Sequence, residues 1–474
     1  MRLHFIQEPL LEFGQGTHIC PRAGITQHGV YDTRFGARRE RILVGAVGTS
    51  DTLSRLAVWL DMCSNHIPPK AESRQPNLYP GFCGFNPESG FKASLVLKEE
   101  ITRPLNNSDI KKIIKIKGWN DRVNEAVEMY YQQVKFLAQN RVVDVIVCII
   151  PTDLYNKIAR EEQEPIEETA ADEEPEDIIE TNFRRALKAR AMHLGKPLQL
   201  MRELSLESNP KTQQDDATKA WNFCTALYYK ANQTVPWKLI TNINRPSICF
   251  VGIGFYRSRD KKVLNTSLAQ IFDELGNGVI LRGTPVDVDK DDRQPHLTTS
   301  QAYELLKRAL AEYEVALGNS PGRLVIHKSS NYTVAELNGF REATTEARVR
   351  TIDFVTILDT DMRLFRDGIY PPYRGTHVEL DENTHLLYSR GAVKYYMTYP
   401  GLYIPQPIEI RIVESDESPG VICQEILGLT KMNWNNTQFD GKYPITIQCA
   451  RKVGQIMKYL SEHEQPQIRY SFYM

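Results

Sequence analysis

Short apolar segments alternate with longer amphipathic segments along the first part of this chain. RILVGAVGT, ASLVL and VVDVIVCII have the pattern of strands, and DTLSRLAVWLDMC and NEAVEMYYQQVKFLAQN have the pattern of helices. Strands that alternate with helices form a parallel sheet covered by those helices. The pattern therefore predicts the α/β class.

A second α/β unit begins near Pro236. SICFVGIGFYRS, GVILRGTPV, RLVIHKS and RTIDFVTILDT predict strands, and QAYELLKRALAEYEVAL, TVAELNGFREAT and the closing ARKVGQIMKYL predict helices. The 474 residues exceed one ordinary core and suit two domains of roughly 200 residues each. We therefore expect one domain over residues 1–235 and another over residues 236–474.

Charge is segregated in the middle of the chain. Residues 161–180 are rich in carboxylates, contain two prolines and have no Lys or Arg, which predicts a solvated insertion. The following segment, TNFRRALKARAMHLGKPLQLMR, has six basic residues and no acid. Thr181 and Asn182 can cap a helix that begins near Phe183, and Gly195 lies where that helix should end.

The composition of the chain indicates in which cellular compartment the protein is expected. Mean hydropathy is −0.41, and no apolar run approaches the roughly 18 residues that span a bilayer. No secretory signal is readable. The eight cysteines include no C-x-x-C pair, which favours reduced, buried thiols. We expect a soluble cytoplasmic protein without a membrane partner.

The net charge of the chain is −1, which alone argues against a nucleic-acid binder. Without the acidic insertion, however, the remainder of the chain has a net positive charge.

The basic helix offers a candidate anion site. Arg184 and Lys188 are four residues apart, so they share a helix face near its positive end, where phosphate binds well. Gln199 follows the next turn and Lys230 ends the next helix, so both could converge on the same anion. The alternative is a solvated face that the acidic insertion neutralises.

Five strings then resemble a known family. HLGKPLQL, YYKANQTVPW, CFVGIGFY, RLVIHKSS and LTKMNWNNTQFDGKYPITIQCARKV occur in the order seen across the MID and PIWI domains of Argonaute proteins. The resemblance covers nearly the whole chain. It implies a Rossmann-like MID domain followed by an RNase H-like PIWI domain. Because MID-like sequence begins at once, it also implies a short prokaryotic Argonaute without N-terminal and PAZ domains.

The resemblance assigns a guide-binding pocket. Arg184, Lys188, Gln199 and Lys230 match the family's residues for the 5′-phosphate of a guide strand. A register shifted by one would put Phe183 at the position of Arg184. The family can also place a divalent cation, here Mg²⁺, between this phosphate and the C-terminal carboxylate, which belongs to Met474.

The resemblance also locates a degenerate nuclease site. In RNase H folds, three or four carboxylates hold two metal ions that clamp the reacting phosphodiester. The matching positions here are Gly254, Ser329 and, within Asn433 to Asn436, Asn436. Glycine has no side-chain ligand, and serine and asparagine replace carboxylates poorly. The resemblance therefore implies a PIWI domain without nuclease activity.

Family properties then imply a function. The chain is expected to bind a guide RNA, pair it with a single-stranded target DNA and leave that DNA uncut. It would serve a prokaryotic immune system against plasmid or phage DNA. Enzymatic activity would come from a partner with an APAZ region, for which a sirtuin-like NAD hydrolase that depletes NAD is favoured over a TIR enzyme.

Two alternatives remain open. The first is an active nuclease that uses displaced carboxylates such as Asp287 or Asp359, and the second is a two-domain protein that binds a phosphorylated metabolite. The acidic cluster VDVDKDD lacks the glycine and terminal Glu of an EF-hand, so an exposed loop is predicted for Asp287, Asp289, Asp291 and Asp292. Asp359 and Asp361 suit a polar turn. His327 has no acid beside it and suits a core position or a backbone contact.

Overall fold

The structure is a computed structural model. It describes residues 1–34, 38–70, 75–159, 182–208, 214–232, 234–240, 246–260, 262–271, 278–288, 293–401, 404–439, 441–461 and 464–474. The acidic segment 161–180 lies outside the described residues, as do Asp289, Asp291 and Asp292. The interpretation of that segment as a solvated insertion therefore stays a prediction.

Helices and strands follow one another in both halves of the chain. The strands are β1 Arg2–Phe5, β2 Leu11–Glu12, β3 Thr17–His18, β4 Arg41–Gly48, β5 Ser94–Val96, β6 Thr102–Pro104, β7 Val145–Ile150, β8 Leu198–Arg202, β9 Lys238–Leu239, β10 Ile248–Arg257, β11 Leu264–Ile271, β12 Gly278–Val286, β13 Arg323–Lys328, β14 Thr351–Asp359, β15 Thr376–Glu379, β16 Thr384–Leu387 and β17 Ile408–Glu414. The helices are α1 Pro21–His28, α2 Ser50–Ser64, α3 Asn107–Ile114, α4 Trp119–Asn140, α5 Thr152–Ile158, α6 Phe183–Ala191, α7 Asp216–Asn232, α8 Thr299–Leu317, α9 Val334–Glu346, α10 Pro419–Leu429 and α11 Ile445–Met457.

The first half builds a parallel sheet. Its strands run in the order β5-β4-β7-β8, with β6 beside β4, and every pairing is parallel. Strand β7 is buried along its whole length, as its continuous apolar sequence predicts. Helices α2 and α4 belong to different apolar clusters and cover different sides of the sheet. The predicted α/β class is confirmed.

The second half builds a larger mixed sheet. Five strands lie in the order β12-β11-β10-β13-β14, with β10, β13 and β14 parallel and β11 antiparallel to both its neighbours. This is the arrangement of an RNase H-like core. Helices α8 and α9 share an apolar cluster with β10 and β13, and α11 packs on β10 and β11. Strands β17, β16, β15 and β1 continue the sheet beyond β14.

The N-terminal strand belongs to this larger sheet, which sequence patterns did not predict. Strand β1 pairs with β15, and all its side chains are exposed, so its short sequence has no buried face to reveal it. Just after it, Glu8 forms ion pairs with Arg374 at 3.1 Å and Lys431 at 3.0 Å. The boundary near residue 235 stays a prediction, because strand pairing crosses it.

Within the described ranges, no helix is both long and apolar enough to cross a membrane.

Candidate functional site

Helix α6 begins where its sequence predicts. Asn182 is the N-cap, and its side-chain oxygen accepts a hydrogen bond from the backbone N of Arg185 at 3.0 Å. Phe183 is buried and meets the Tyr130 ring edge-on, with 5.4 Å between ring centroids. This register directs Phe183 into the core and leaves Arg184 exposed.

Lys188 lies one helical turn after Arg184 but is only 4% exposed. Its burial, and then the charges of Arg184, Lys230 and Lys452, hold the pKa of Lys188 well below its usual range. None of the described carboxylates contributes to this shift. A buried ammonium among other cations is unfavourable in the free protein, and an anionic ligand would relieve that cost.

Gln199 and Lys230 meet between β8 and α7. The Nζ atom of Lys230 donates a hydrogen bond to Oε1 of Gln199 at 2.6 Å. Lys230 is 1% exposed, and its burial, followed by the charge of Arg184, lowers its pKa to about 7. The hydrogen bond between Lys230 and Gln199, and the effect of the Arg184 and Lys230 charges on Lys188, indicate that the four sequence-predicted residues lie near one another. We call Arg184, Lys188, Gln199 and Lys230 the cationic pocket.

A cavity of about 300 Å³ adjoins the cationic pocket, because Gln199 also lines its wall. Side chains from several separate segments complete the described part of the wall, among them Trp59, Arg202, Ser205, Lys219, Asn222 and Asn435. Such a volume is at the lower end for small-molecule sites. Sequence reasoning missed this cavity, because its residues form no motif and come together only through the fold.

The donor set fits a divalent cation poorly. Divalent magnesium prefers several oxygen ligands, whereas the one side-chain oxygen of the cationic pocket, on Gln199, already accepts from Lys230. The side chain of Met474 is buried. Across the part of the chain that the structure describes, no three His, Cys, Asp or Glu residues are grouped to hold a metal. The Mg²⁺ expectation stays an untested prediction.

Gly254 is packed tightly beneath α11. A Cβ atom built on Gly254 would lie 3.1 Å from the Cβ of Ala450 and 3.5 Å from the backbone N of Arg451. Ser267 on the neighbouring strand donates a hydrogen bond to the backbone oxygen of Ala450 at 2.8 Å. Helix α11 therefore fills the space that a side chain at Gly254 would need.

Ser329 and Asn436, the other two predicted positions, have different surroundings. Ser329 directly follows β13, whose last residue, Lys328, is paired with Glu336. The Oδ1 atom of Asn436 accepts from the backbone N of Gln438 at 3.0 Å, and the next residue, Thr437, bonds to Asn222 of α7. The nearest atoms to a Cβ at Gly254 belong to Ala450 and Arg451 of α11, neighbours that the sequence did not reveal. The assignment of Gly254, Ser329 and Asn436 to one degenerate site stays a prediction.

The displaced carboxylates have other partners. Asp359 forms an ion pair with Lys442 at 2.9 Å and accepts a hydrogen bond from the Tyr443 hydroxyl. Asp361 and Asp287 are exposed. His327 is buried, its Nδ1 lies 2.8 Å from Oγ1 of Thr446, and burial lowers its pKa to about 3. These contacts match the expected polar turn and core histidine.

Solved structures similar to this chain include Clostridium butyricum Argonaute bound to a guide DNA and a 19-mer target DNA. The TM-score is 0.68 at 14% sequence identity, over 99% of this chain and 54% of that one. The chain has an Argonaute-like fold. Aa-Ago with externally bound siRNA matches with a TM-score of 0.60 at 15% identity, and Drosophila Piwi with 0.58 at 14% identity, each over 99% of this chain and 56% of the other.

The Argonaute-like fold confirms the resemblance and the two-domain α/β architecture. This chain spans just over half the length of those structures. No family model matches the sequence, and no curated protein does. At such low identity the likeness establishes the fold alone, so the roles assigned to individual residues stay predictions.

Proposed function

We propose that this Argonaute-like chain binds the 5′-phosphate of a guide strand in the cationic pocket and pairs the guide with a complementary strand without cutting it. The observation that carries the proposal is the pair of buried lysines, Lys188 and Lys230, gathered beside Gln199 with no described carboxylate in their electrostatic surroundings.

Energetics support an anionic ligand. A solvated face cannot explain lysines that are 4% and 1% exposed. Burying a charge costs several kcal/mol unless a counter-charge compensates it. A terminal phosphate, with a second pKa of about 6, is largely dianionic at neutral pH. Phosphate therefore compensates the charges that the fold leaves unbalanced.

The adjoining cavity supports a ligand longer than phosphate. Its volume of about 300 Å³ begins at Gln199, so a nucleotide that has its phosphate in the cationic pocket could extend into it. One similar protein, Clostridium butyricum Argonaute, was solved with a guide DNA and a target DNA. For this chain we propose a guide RNA and a single-stranded target DNA, on the family resemblance of its sequence.

We further propose that target recognition activates a partner. The absence of carboxylates at Gly254, Ser329 and Asn436 supports recognition without cleavage, and α11 occupies the space beside Gly254. An effector is then needed for any consequence in the cell. We retain an APAZ-containing subunit, with a sirtuin-like NAD hydrolase favoured over a TIR enzyme, in a defence system against plasmid or phage DNA.

Binding to matched 5′-phosphorylated and 5′-hydroxyl RNAs tests the pocket. The wild type should prefer the phosphorylated RNA by about tenfold or more, equivalent to about 1.4 kcal/mol. Lys188→Met and Lys230→Met should remove most of that preference, because methionine keeps the length but not the charge. Lys112→Ala is the matched control, since this exposed lysine on α3 pairs with Asp109. An equal preference in all four proteins would refute the pocket.

Two further outcomes separate the alternatives. Tight binding of a nucleoside monophosphate without any binding of guide RNA would favour the metabolite-binding protein. Magnesium-dependent cleavage of a complementary DNA, lost in Asp359→Ala, would establish the displaced-carboxylate nuclease. The nuclease outcome is not expected, because Asp359 is already held by Lys442 and Tyr443.

A further inference from the structure

Strand β1 forms one edge of the larger sheet. Among the described strands it pairs with β15 alone. The backbone N of Ile6, the residue after β1, donates to the oxygen of Gly375 at 2.9 Å. In an antiparallel pair, residues that bond to the partner strand alternate with residues whose backbone groups point away from it. The N–H and C=O groups of Leu3 and Phe5 therefore point outwards, where a further strand can pair with them.

Exposed apolar side chains flank this edge. Leu3 is 69% exposed, and Phe5 meets the Tyr373 ring edge-on with 6.0 Å between ring centroids. Met397 directly follows the 3₁₀ turn Lys394–Tyr396 and is 84% exposed. Contiguous apolar groups on the surface of a folded protein mark interaction sites.

Two cations lie over the same aromatic rings. The Nζ atom of Lys394 is 4.6 Å from the centroid of the Phe5 ring and 5.5 Å from that of Tyr373. The guanidinium of Arg366 lies 4.0 Å from the Tyr373 centroid, and its Nη1 atom is buried without a hydrogen-bond partner in the described structure. The contacts described for both cations are thus with rings and not with carboxylates. We call these six residues the edge patch: Leu3, Phe5, Arg366, Tyr373, Lys394 and Met397.

A strand from a partner protein suits the edge patch better than other occupants. Aromatic, methionine and arginine side chains are enriched in protein interfaces, and an added strand pairs with outward backbone groups. Arg366 and Lys394 favour acidic side chains on that strand. A second copy of this chain would bring the same two cations to the edge. Single-stranded nucleic acid also binds rings and cations, but it has no peptide backbone to pair with β1.

We propose that the edge patch is a docking surface for a partner protein, which adds an extended segment with apolar and acidic side chains beside β1. This inference rests on the proposed function, because it assigns a surface to the effector subunit which that function requires. The edge patch shares no residue with the cationic pocket, so docking and guide binding can be measured separately.

The test titrates the protein with labelled peptides of about ten residues, the upper length of ordinary strands, in which valine alternates with glutamate or with lysine. The glutamate peptide should bind about tenfold more tightly than the lysine peptide. Lys394→Met should weaken its binding by about threefold, as for loss of one exposed ion pair. Leu3→Pro should weaken it by about three- to tenfold, because it removes an outward N–H, and proline is tolerated on an edge strand. Lys112→Met is the control.

The outcomes separate docking from guide binding. Each variant should keep the wild-type preference for 5′-phosphorylated over 5′-hydroxyl RNA. Absence of binding of the glutamate peptide, or equal binding by the wild type, Lys394→Met and Leu3→Pro, overturns the docking surface and leaves the guide pocket standing. A wild type that binds the glutamate peptide but shows no phosphate preference refutes the proposed function instead.

The two other occupants would give different results. Binding of an oligothymidylate that Lys394→Met weakens, without binding of the glutamate peptide, would overturn the proposal in favour of a nucleic-acid surface. Sedimentation that finds a dimer of the wild type and a monomer of Leu3→Pro would overturn it in favour of a second copy. Melting curves of each variant verify that it is folded, and Lys394→Met, at an exposed position, provides the test if Leu3→Pro is unstable.

Discussion

Two sets of buried lysines in this molecule have opposite surroundings. In the second half, Lys328 and Glu336 are both fully buried and form an ion pair at 2.6 Å. In the first half, Lys188 and Lys230 are almost as buried, but no described carboxylate acts on them. The charge of Lys328 is therefore balanced by a residue of the same fold. Lys188 and Lys230 have no such described carboxylate, and under the proposed function a guide phosphate supplies the negative charge.

The contrast extends to other buried charges. Arg323 pairs with Asp353 and Glu425, each at 2.6 Å. Lys431 pairs with Glu8 at 3.0 Å. Buried charge is therefore ordinarily matched in this protein, as the cost of an isolated buried ion requires. Lys188 and Lys230 differ, because no described carboxylate acts on them, and the following predictions test whether that difference is functional.

Breaking the matched pair should have the largest effect. Glu336→Ala should lower the free energy of unfolding by about 3–5 kcal/mol, because it leaves the buried Lys328 ammonium without its Glu336 carboxylate. It also removes the acceptor for the backbone N of Thr333 and of Leu297. Urea unfolding measures the change. A loss below about 1 kcal/mol, the size of an ordinary substitution, would show that the interior tolerates isolated charge and would weaken the comparison.

Gly254→Asp is expected to have the next largest effect. The new side chain would crowd Ala450, and overpacking of a core costs about 1–3 kcal/mol. The variant should not cleave a complementary DNA in Mg²⁺, since Ser329 and the remaining positions still lack carboxylates. Unfolding curves and a cleavage assay provide the two measurements. Ala450→Gly in the same chain should recover part of the lost stability, and cleavage by either protein would contradict an inactive site.

The phosphate preference should fall as pH rises. Burial lowers the pKa of Lys230 to about 7, so the lysine of the free protein progressively loses its proton above that pH. An anion binds the protonated form, which means that binding takes up a proton and weakens with rising pH. Between about pH 7 and pH 9 the preference should drop on the order of tenfold or more. Phosphate itself stays dianionic across this range.

A matched variant shows whether Lys230 is the source of that pH dependence. Lys230→Met should bind the phosphorylated RNA weakly and with a flatter pH profile. A wild-type preference that is constant across the range would mean that Lys230 does not titrate there. The expected link between the lowered pKa of Lys230 and phosphate binding would then be wrong.

Local signals in the sequence predicted helix α6 and its surroundings. Asn182 caps the helix as predicted, and Gly195 adopts a left-handed backbone with φ of 67° after the short 3₁₀ turn that follows α6. Such features depend on a few adjacent residues and on the conformational freedom of glycine. Seven strands were recognisable for the same reason, because each is a short run with its own apolar pattern: β4, β5, β7, β10, β12, β13 and β14.

Contacts between distant segments were not predictable in this way. The pairing of β1 with β15 joins residues that are over 370 positions apart, and no periodicity in RLHF indicates it. The packing of Gly254 against Ala450 likewise joins distant parts of the chain, and no local pattern indicates it. The four pocket residues were assigned through the family resemblance. The burial of Lys188 and Lys230, which carries the functional argument, became visible only in the fold.

The smallest predicted effect is a change in stability, and it tests the contrast between buried lysines with and without a described carboxylate partner. Lys188→Met should raise the free energy of unfolding of the ligand-free protein by roughly 1 kcal/mol, because it removes a buried charge that the described structure leaves uncompensated. Lys112→Met, on an exposed face, is the control and should change little. The folded state lowers the pKa of Lys188, so the unfolded chain binds more protons and wild-type stability rises towards the usual lysine pKa. The gain from methionine should therefore shrink as pH rises, and a loss of stability at neutral pH would mean that Lys188 has a partner in the free protein.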